Sequence, residues 1–427
     1  MTIHELLNKD IDCSCGRTHR CDIGFLKIGE NALDTLPEAV KNYKSILLVA
    51  DNNTYPLCYD RVKELIGDKI TAICLYQTEK HLVPNENAIE KAEKSLCADT
   101  DLILGIGSGV INDICKYVSF YHGIKSGIIA TAPSMDGYAS SGAAMITDGM
   151  KVTYTTHAPD IIIGDTEILR NAPIDMIRSG YGDIIGKYSS LNDWKLANLV
   201  RGEHMCSFVY DLVLETTNDI RDSAAAIVAR DSRAIEKLMS ALVLIGMTLT
   251  LVETTRPGSG SEHHLSHFYE ITGLIEDKPY FLHGTDVGYA TIVTAGLREQ
   301  IVKIEKPQFH HISDELKEAC YKKIYRDYWT EVKAIQDKVG WYAKDLDGIY
   351  AEKWDEIVSI LKECPTADEI RAMLVEVGFD LSAFEKMYGA QKIQNSVWFG
   401  KDLKDRYSVL WLYSELYLTD EEVAKVI

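Results

Sequence analysis

The sequence contains no uninterrupted run of eighteen apolar residues, which speaks against a membrane-spanning helix. It has no basic excess: 45 Lys and Arg stand against 64 Asp and Glu, a formal charge of −19. Neither a nucleic acid nor an anionic membrane surface is therefore an expected partner. The opening residues lack the basic and apolar stretches of a secretory leader, and no internal repeat or low-complexity tract is evident. Cysteine occurs ten times but is scattered through a long chain rather than framed in a short one. That usage fits reduced thiols in a soluble, cytoplasmic protein better than a disulfide scaffold. What remains is a globular composition, 46% hydrophobic over 427 residues, enough for two domains with cores of their own.

The first part of the chain alternates between two kinds of segment. Short branched apolar runs at 45–50, 70–76, 101–104, 127–130 and 160–164 read as strands, with helix-like stretches such as 86–96 and 112–120 between them. Strands alternating with helices predict a parallel, Rossmann-like sheet covered on both faces. Beyond about residue 172 the strand pattern stops. Segments 173–198, 208–223, 233–255, 283–303 and 314–339 carry apolar residues at three- and four-residue spacing and predict long helices. The expectation is an α/β domain over 1–172 and an all-helical domain over 173–427, with the active site in the cleft between them.

Two features carry chemistry. Asp101-Leu-Ile-Leu-Gly105-Ile-Gly107-Ser108-Gly109-Val110-Ile-Asn112-Asp113 runs from a strand through a glycine-rich turn into a helix. Small residues there let backbone N–H groups approach a pyrophosphate, and a helix N-terminus favours its charge. Val110 replaces the third glycine of the usual dinucleotide fingerprint, so taken alone the turn is a weak signal. The second feature is Asp183 together with His263, His267 and His283. One carboxylate and two imidazoles fill three tetrahedral positions on a divalent metal and leave the fourth open for substrate. His263 and His267 are four apart and share a helix face, so one can ligate while the other reaches the substrate. A third cluster, Cys13, Cys15, His19 and Cys21, offers four soft donors within nine residues. Its spacing is tighter than paired Cys-x-x-Cys motifs, so a plain loop or strand competes with a structural metal.

With these motifs in order, the chain resembles the superfamily of metal-dependent dehydrogenases that includes glycerol dehydrogenases, iron-containing alcohol dehydrogenases and dehydroquinate synthases. Within it, it is most similar to the sn-glycerol-1-phosphate dehydrogenase family in its bacterial form. The motifs are Gly105 to Asp113, Thr131-Ala-Pro-Ser134-Met-Asp136-Gly-Tyr-Ala-Ser140, Gly182-Asp183, Arg256-Pro-Gly-Ser259-Gly-Ser261-Glu-His263 and His283-Gly284. The resemblance implies a dehydroquinate synthase-like architecture and reversible reduction of dihydroxyacetone phosphate to sn-glycerol 1-phosphate. It implies NAD(H), with NADP(H) as the alternative, and one divalent metal: zinc, nickel or iron. Asp183, His263 and His283 are the implied metal ligands, His267 the substrate-side histidine and Asp136 the carboxylate that holds a substrate hydroxyl. Gly107, Ser108, Gly109, Val110, Asn112, Asp113, Thr131, Ser134 and Ser140 are the implied dinucleotide contacts. A homodimer or larger homo-oligomer is implied by the family and by nothing in the composition.

Two further assignments rest on residues. Asp51 follows the strand at 45–50, where a carboxylate can accept bonds from the adenosine ribose and repel a 2′-phosphate; a turn role competes. Ser259 and Ser261 precede the His263 helix, where free N–H groups and hydroxyls make a site for the substrate phosphate; an ordinary N-cap competes. An unphosphorylated glycerol or polyol substrate remains the runner-up. A dehydroquinate synthase-like lyase is disfavoured, because that pattern has a glutamate where Asp183 stands. A non-catalytic interaction protein would have no use for the whole constellation.

Overall fold

The computed structural model describes residues 3–79, 82–147 and 150–427. By contact the chain divides into two compact units, each discontinuous in sequence. The first joins Met1–Ile184 to Asn218–Thr255, and the second joins Ile185–Thr217 to Arg256–Ile427. This differs from a single division at 172/173.

After a short helix at Ile3–Leu6, the first unit has a small antiparallel hairpin, β1 (Ile11–Asp12) and β2 (Thr18–His19). Then follow β3 (Phe25–Gly29), β4 (Ile46–Asp51), β5 (Ile70–Tyr76), β6 (Leu102–Gly107), β7 (Lys125–Ala130), β8 (Gly142–Thr147), β9 (Met150–Thr155) and β10 (Ile161–Asp165). Six of these form one parallel sheet in the order β3-β10-β7-β6-β4-β5. Ile46 to Ala50, Leu102 to Leu104, and Ile161 to Ile163 have no exposed surface, as expected of strands covered on both faces. One face packs Leu48, Leu104, Ile129 and Ile163 against Leu36, Val62 and Ile66. From β4 the chain moves outward to β5, then returns to place β6 on the other side of β4. The strand order therefore reverses between β4 and β6, and ligands bind doubly wound sheets at such a point, beyond the carboxyl ends of the strands.

Two elements of this unit escape the sequence pattern. β3 is an edge strand, paired only with β10 and half-buried over most of its length, so it lacks a continuous apolar run. The β8–β9 hairpin begins Gly-Ala-Ala, a weak strand composition, and forms through cross-strand pairing instead. The helix Ser232–Val252 is long and apolar enough to cross a membrane by composition, yet 78% of its apolar window is buried inside the protein. It is a core helix of the sheet-bearing unit. Gly246 lets it approach the loop after β7: a Cβ there would lie 2.6 Å from the Asp136 carbonyl oxygen.

The second unit is helical throughout its described residues. The segment expected as one helix over 173–198 is two, Ile174–Ile185 and Lys187–Arg201, joined at Gly186. The segment 314–339 is likewise interrupted, by a 3₁₀ turn at Arg326–Tyr328 that starts with Arg326 at φ +49°. At the centre of the unit lie the helices Ser261–Glu276 and His283–Ile301. A buried ion pair ties them to Lys187–Arg201: Arg298 Nη2 donates to Asp193 Oδ1 at 2.8 Å, and both side chains are essentially inaccessible. Asp193 also accepts the Val409 N–H at 2.9 Å, so the pair has the further hydrogen bonds a buried charge requires.

Candidate active site

In the first unit, the ends of β4, β6 and β7 bring three expected regions side by side. Thr54 Oγ1 donates to the Ile106 carbonyl at 2.7 Å, tying the loop after β4 to β6 across the reversal point. The Thr131 N–H donates to the Gly107 carbonyl at 3.0 Å, tying β7 to the glycine turn. Gly107 is required there, because a Cβ would stand 2.6 Å from Cβ and Cγ1 of Ile111. Gly105 and Gly109 are similarly hemmed in, by Ile111 with Ile128 and by Met135. The helix Gly109–His122 thus starts hard against the sheet. Ser108 is its N-cap but makes no side-chain capping bond, so the first N–H groups of the helix meet no hydroxyl cap. Val110 sits half-buried on the first turn. Asp51 ends β4, and its Oδ1 accepts the N–H groups of Asn53 and Thr54, both at 2.8 Å.

Other expected contacts are committed to the protein itself. Asn112 Nδ2 donates to the carbonyls of Gly137 and Tyr138. Asp113 pairs with the buried Lys116 at 2.9 Å and accepts the Ala144 N–H at 3.2 Å; burial nevertheless raises its pKa. Ser140 Oγ donates to the carbonyls of Gly137 and Gly142, and Lys116 reaches the same two carbonyls. These bonds shape the loop after β7, while Asn112 Oδ1 is buried without a partner among the described residues. That loop carries Ser134 and Asp136 and is clamped from the helix Ile174–Ile185. A Cβ at Gly180 would stand 1.9 Å from the Pro133 carbonyl oxygen, and Ser179 Oγ donates to the Ser134 carbonyl at 3.1 Å. Asp183, wholly buried on that helix, accepts the Asp136 N–H at 3.0 Å. Asp183 and Asp136 are thus joined within one unit, through the Asp136 main chain.

In the second unit, His263, His267 and His283 form a triangle, with ring centroids 6.2, 5.0 and 5.6 Å apart. His263 and His267 share a helix face, and His283 opens the next helix. The start of that helix is held by Tyr388, whose hydroxyl accepts the Phe281 N–H at 3.2 Å and donates to Asp286 at 2.8 Å. A residue the sequence reading passed over, Glu262, completes the arrangement. Its fully buried Oε1 lies 2.7 Å from His263 Nδ1 and 2.7 Å from the Gly260 N. A carboxylate that accepts from Nδ1 holds the ring proton on that nitrogen and leaves the lone pair on Nε2, the usual support for a metal-binding imidazole. Its one sequence signal was adjacency to His263. His264 is wholly buried, and burial, with Lys404, Arg406 and Arg256 nearby, keeps it neutral.

The start of the His263 helix differs from the expected anion cradle. The Ser261 N–H donates to Asp193 Oδ2 at 2.6 Å, and Ser261 Oγ lies 3.1 Å from Ser189 Oγ. With Glu262 on the Gly260 N–H, two carboxylates already take the N–H groups of Gly260 and Ser261, which are therefore not open to a phosphate. Ser261 is a structural residue here. Ser259 is different: its buried Oγ has no hydrogen-bond partner among the described residues.

Comparison with known proteins settles the family. Residues 27–173 match the model of the iron-containing alcohol dehydrogenase family. Among curated proteins, the glycerol-1-phosphate dehydrogenase [NAD(P)+] of Halalkalibacterium halodurans is 33% identical over 360 residues, 81% of this chain and 90% of the relative. The chain belongs to the glycerol-1-phosphate dehydrogenase family. The relative of that name from Geobacillus stearothermophilus is 28% identical over 98% of this chain and 99% of its own. The fold of this family member is also that of Schizosaccharomyces pombe glycerol dehydrogenase, with TM-score 0.56 and 16% identity over 95% of this chain and 90% of that one. A 1,3-propanediol oxidoreductase superposes with TM-score 0.58 at 13% identity, over 95% and 97% of the two chains.

Proposed function

We propose that this protein reversibly reduces dihydroxyacetone phosphate to sn-glycerol 1-phosphate with NADH or NADPH and one divalent metal. The observation that carries the reading is the Glu262-supported His263 beside His267 and His283, in a chain of this family. The donor set of Asp183, His263 and His283 suits zinc, nickel or iron. Asp183 lies two residues before the second unit, on the helix that runs into it. Such an ion, when bound, supplies a Lewis acid for the ketone oxygen. The dinucleotide, when bound, supplies the hydride. It is received at the β4/β6 reversal: Gly107, Ser108, Gly109 and Val110 admit the pyrophosphate, Thr131 and Ser134 flank it, and Asp51 meets the ribose. Asn112, Asp113 and Ser140 hold the walls.

Asp136 accepts a substrate hydroxyl and so fixes the carbon that reacts. His267, on the ligand face of its helix yet outside the ligand set, exchanges the proton at the substrate oxygen. Ser259 offers its unpartnered hydroxyl to the phosphate. A cytoplasmic homodimer or larger assembly belongs to the same reading by family.

One observation favours the unphosphorylated polyol as a second reading: the N–H groups of Gly260 and Ser261 are already taken by carboxylates and offer nothing to an anion. An NADH-oxidation assay after metal loading decides, with dihydroxyacetone phosphate and dihydroxyacetone side by side. Ser259→Ala should raise the Michaelis constant severalfold for the phosphorylated ketone and leave the other unchanged. Turnover of dihydroxyacetone alone would overturn the phosphate assignment.

A further inference from the structure

The N-terminal hairpin is too small to sustain itself. β1 and β2 are two residues each, pairing Ile11 with His19 and Asp12 with Thr18. A two-stranded hairpin is marginal in water even at greater length. Its turn closes with the Gly16 N–H on the Cys13 carbonyl at 3.0 Å and the Cys13 N–H on the Arg17 carbonyl at 3.2 Å, with Gly16 at φ +85°. The turn brings soft donors together: Cys15 Sγ lies 3.3 Å from His19 Nε2. Around a tetrahedral zinc, Zn–S of about 2.3 Å and Zn–N of about 2.05 Å place sulfur and nitrogen about 3.6 Å apart. The fit is within a few tenths of an ångström.

His19 adds an independent observation. It is 1% exposed, and its Nδ1 lies 2.7 Å from the Leu251 carbonyl oxygen at the end of the helix Ser232–Val252. A carbonyl can only accept, so Nδ1 carries the proton and the nitrogen facing Cys15 is the one with a free pair. Metal-binding imidazoles are oriented in this way.

We propose that Cys13, Cys15 and His19 bind a structural zinc ion, separate from the ion at His263. Thiolates and an imidazole are the usual donors of structural zinc sites. On binding, the two thiols release their protons to solvent. Cys21, the fourth donor by sequence spacing, is a packed thiol instead. It pairs with Leu7 through a backbone bridge and packs fully buried, outside the group of donors that come together. The ion would stiffen the hairpin, which His19 already ties to the end of the helix Ser232–Val252.

The test uses the full chain carrying His263→Ala, so that failure of the catalytic assignment leaves it intact. That protein should retain about one tightly held zinc per chain, released by a mercurial thiol reagent. Its cobalt-loaded form should show thiolate-to-cobalt charge transfer. Cys13→Ser with Cys15→Ser should abolish both signals, while Cys21→Ser leaves them unchanged. Should the double variant fail to fold, Cys15→His, which conserves a ligand, should keep the zinc with weaker charge transfer. Zinc content unchanged in the double variant, a cobalt spectrum without charge transfer, or a Cys13–Cys15 disulfide in the purified protein would overturn the site. Loss of zinc in Cys21→Ser would overturn the ligand set.

Discussion

Glu262→Gln isolates what the buried carboxylate does for His263. Glu262 Oε1 accepts two hydrogen bonds, each at 2.7 Å, while its Oε2 has no partner among the described residues. Glutamine can keep its oxygen in the accepting position, and its amide nitrogen exchanges an unpaired buried acceptor at Oε2 for an unpaired buried donor. Shape and both bonds then survive, and only the charge behind His263 disappears. A less polarised imidazole is a weaker ligand. Losing such a supporting group typically costs 10–100-fold in metal affinity, about 1.4–2.8 kcal/mol. The metal-free protein should be no less stable than the parent by more than about 1 kcal/mol. Glu262→Ala removes the acceptor altogether and leaves the Gly260 N–H and the imidazole N–H buried and unbonded. That costs about 1–3 kcal/mol for each donor, so this variant should lose stability even without metal. The assay is competition for the metal against a chromophoric chelator, alongside thermal melts of the metal-free proteins. If Glu262→Gln binds metal as tightly as the parent, the carboxylate does not support a ligand. If its metal-free form melts as low as Glu262→Ala, the role is structural.

Gly107→Ala forces a Cβ to 2.6 Å from Ile111 and must push the helix start off β6. Overpacking of about 1–3 kcal/mol should weaken NADH binding roughly tenfold, read by fluorescence titration; unchanged affinity would place the dinucleotide elsewhere. Asp51→Gly should shift cofactor preference toward NADP(H), measured as the ratio of kcat/KM values; an unchanged ratio would remove Asp51 from the ribose site. Glu415 supplies a pH effect. Burial raises its pKa from 4.5 to about 7, so between those values the folded protein holds a proton that the unfolded chain releases. Its contribution is full below pH 4.5 and is lost as pH rises through 7. Glu415→Gln should therefore stabilise the protein by roughly 2 kcal/mol at pH 8 and little at pH 4.5, by denaturant melts at both pH values. Equal effects at both would show that the carboxyl does not titrate there.

The parallel strands, the glycine turn and the His263/His267 face were legible in the sequence because each is a local pattern. Buried strands read as apolar runs of strand length, glycines mark close approach wherever they fall, and helical spacing puts residues four apart on one face. What tertiary structure decided is everything that depends on a partner distant in the chain. Ser259 and Ser261 look alike beside the helix start, but Asp193, 68 residues before Ser261, fills that N–H and makes Ser261 structural. Asn112, Asp113 and Ser140 belong to the cofactor motif by sequence, but the fold of the Gly137–Gly142 segment draws their polar groups inward. The helix Ser232–Val252 reads as part of a helical domain, yet Gly246 admits the loop after β7 and the helix packs with the sheet. Periodicity records which side of an element is apolar. It does not record which neighbour arrives there, because that contact is made only when the chain closes on itself.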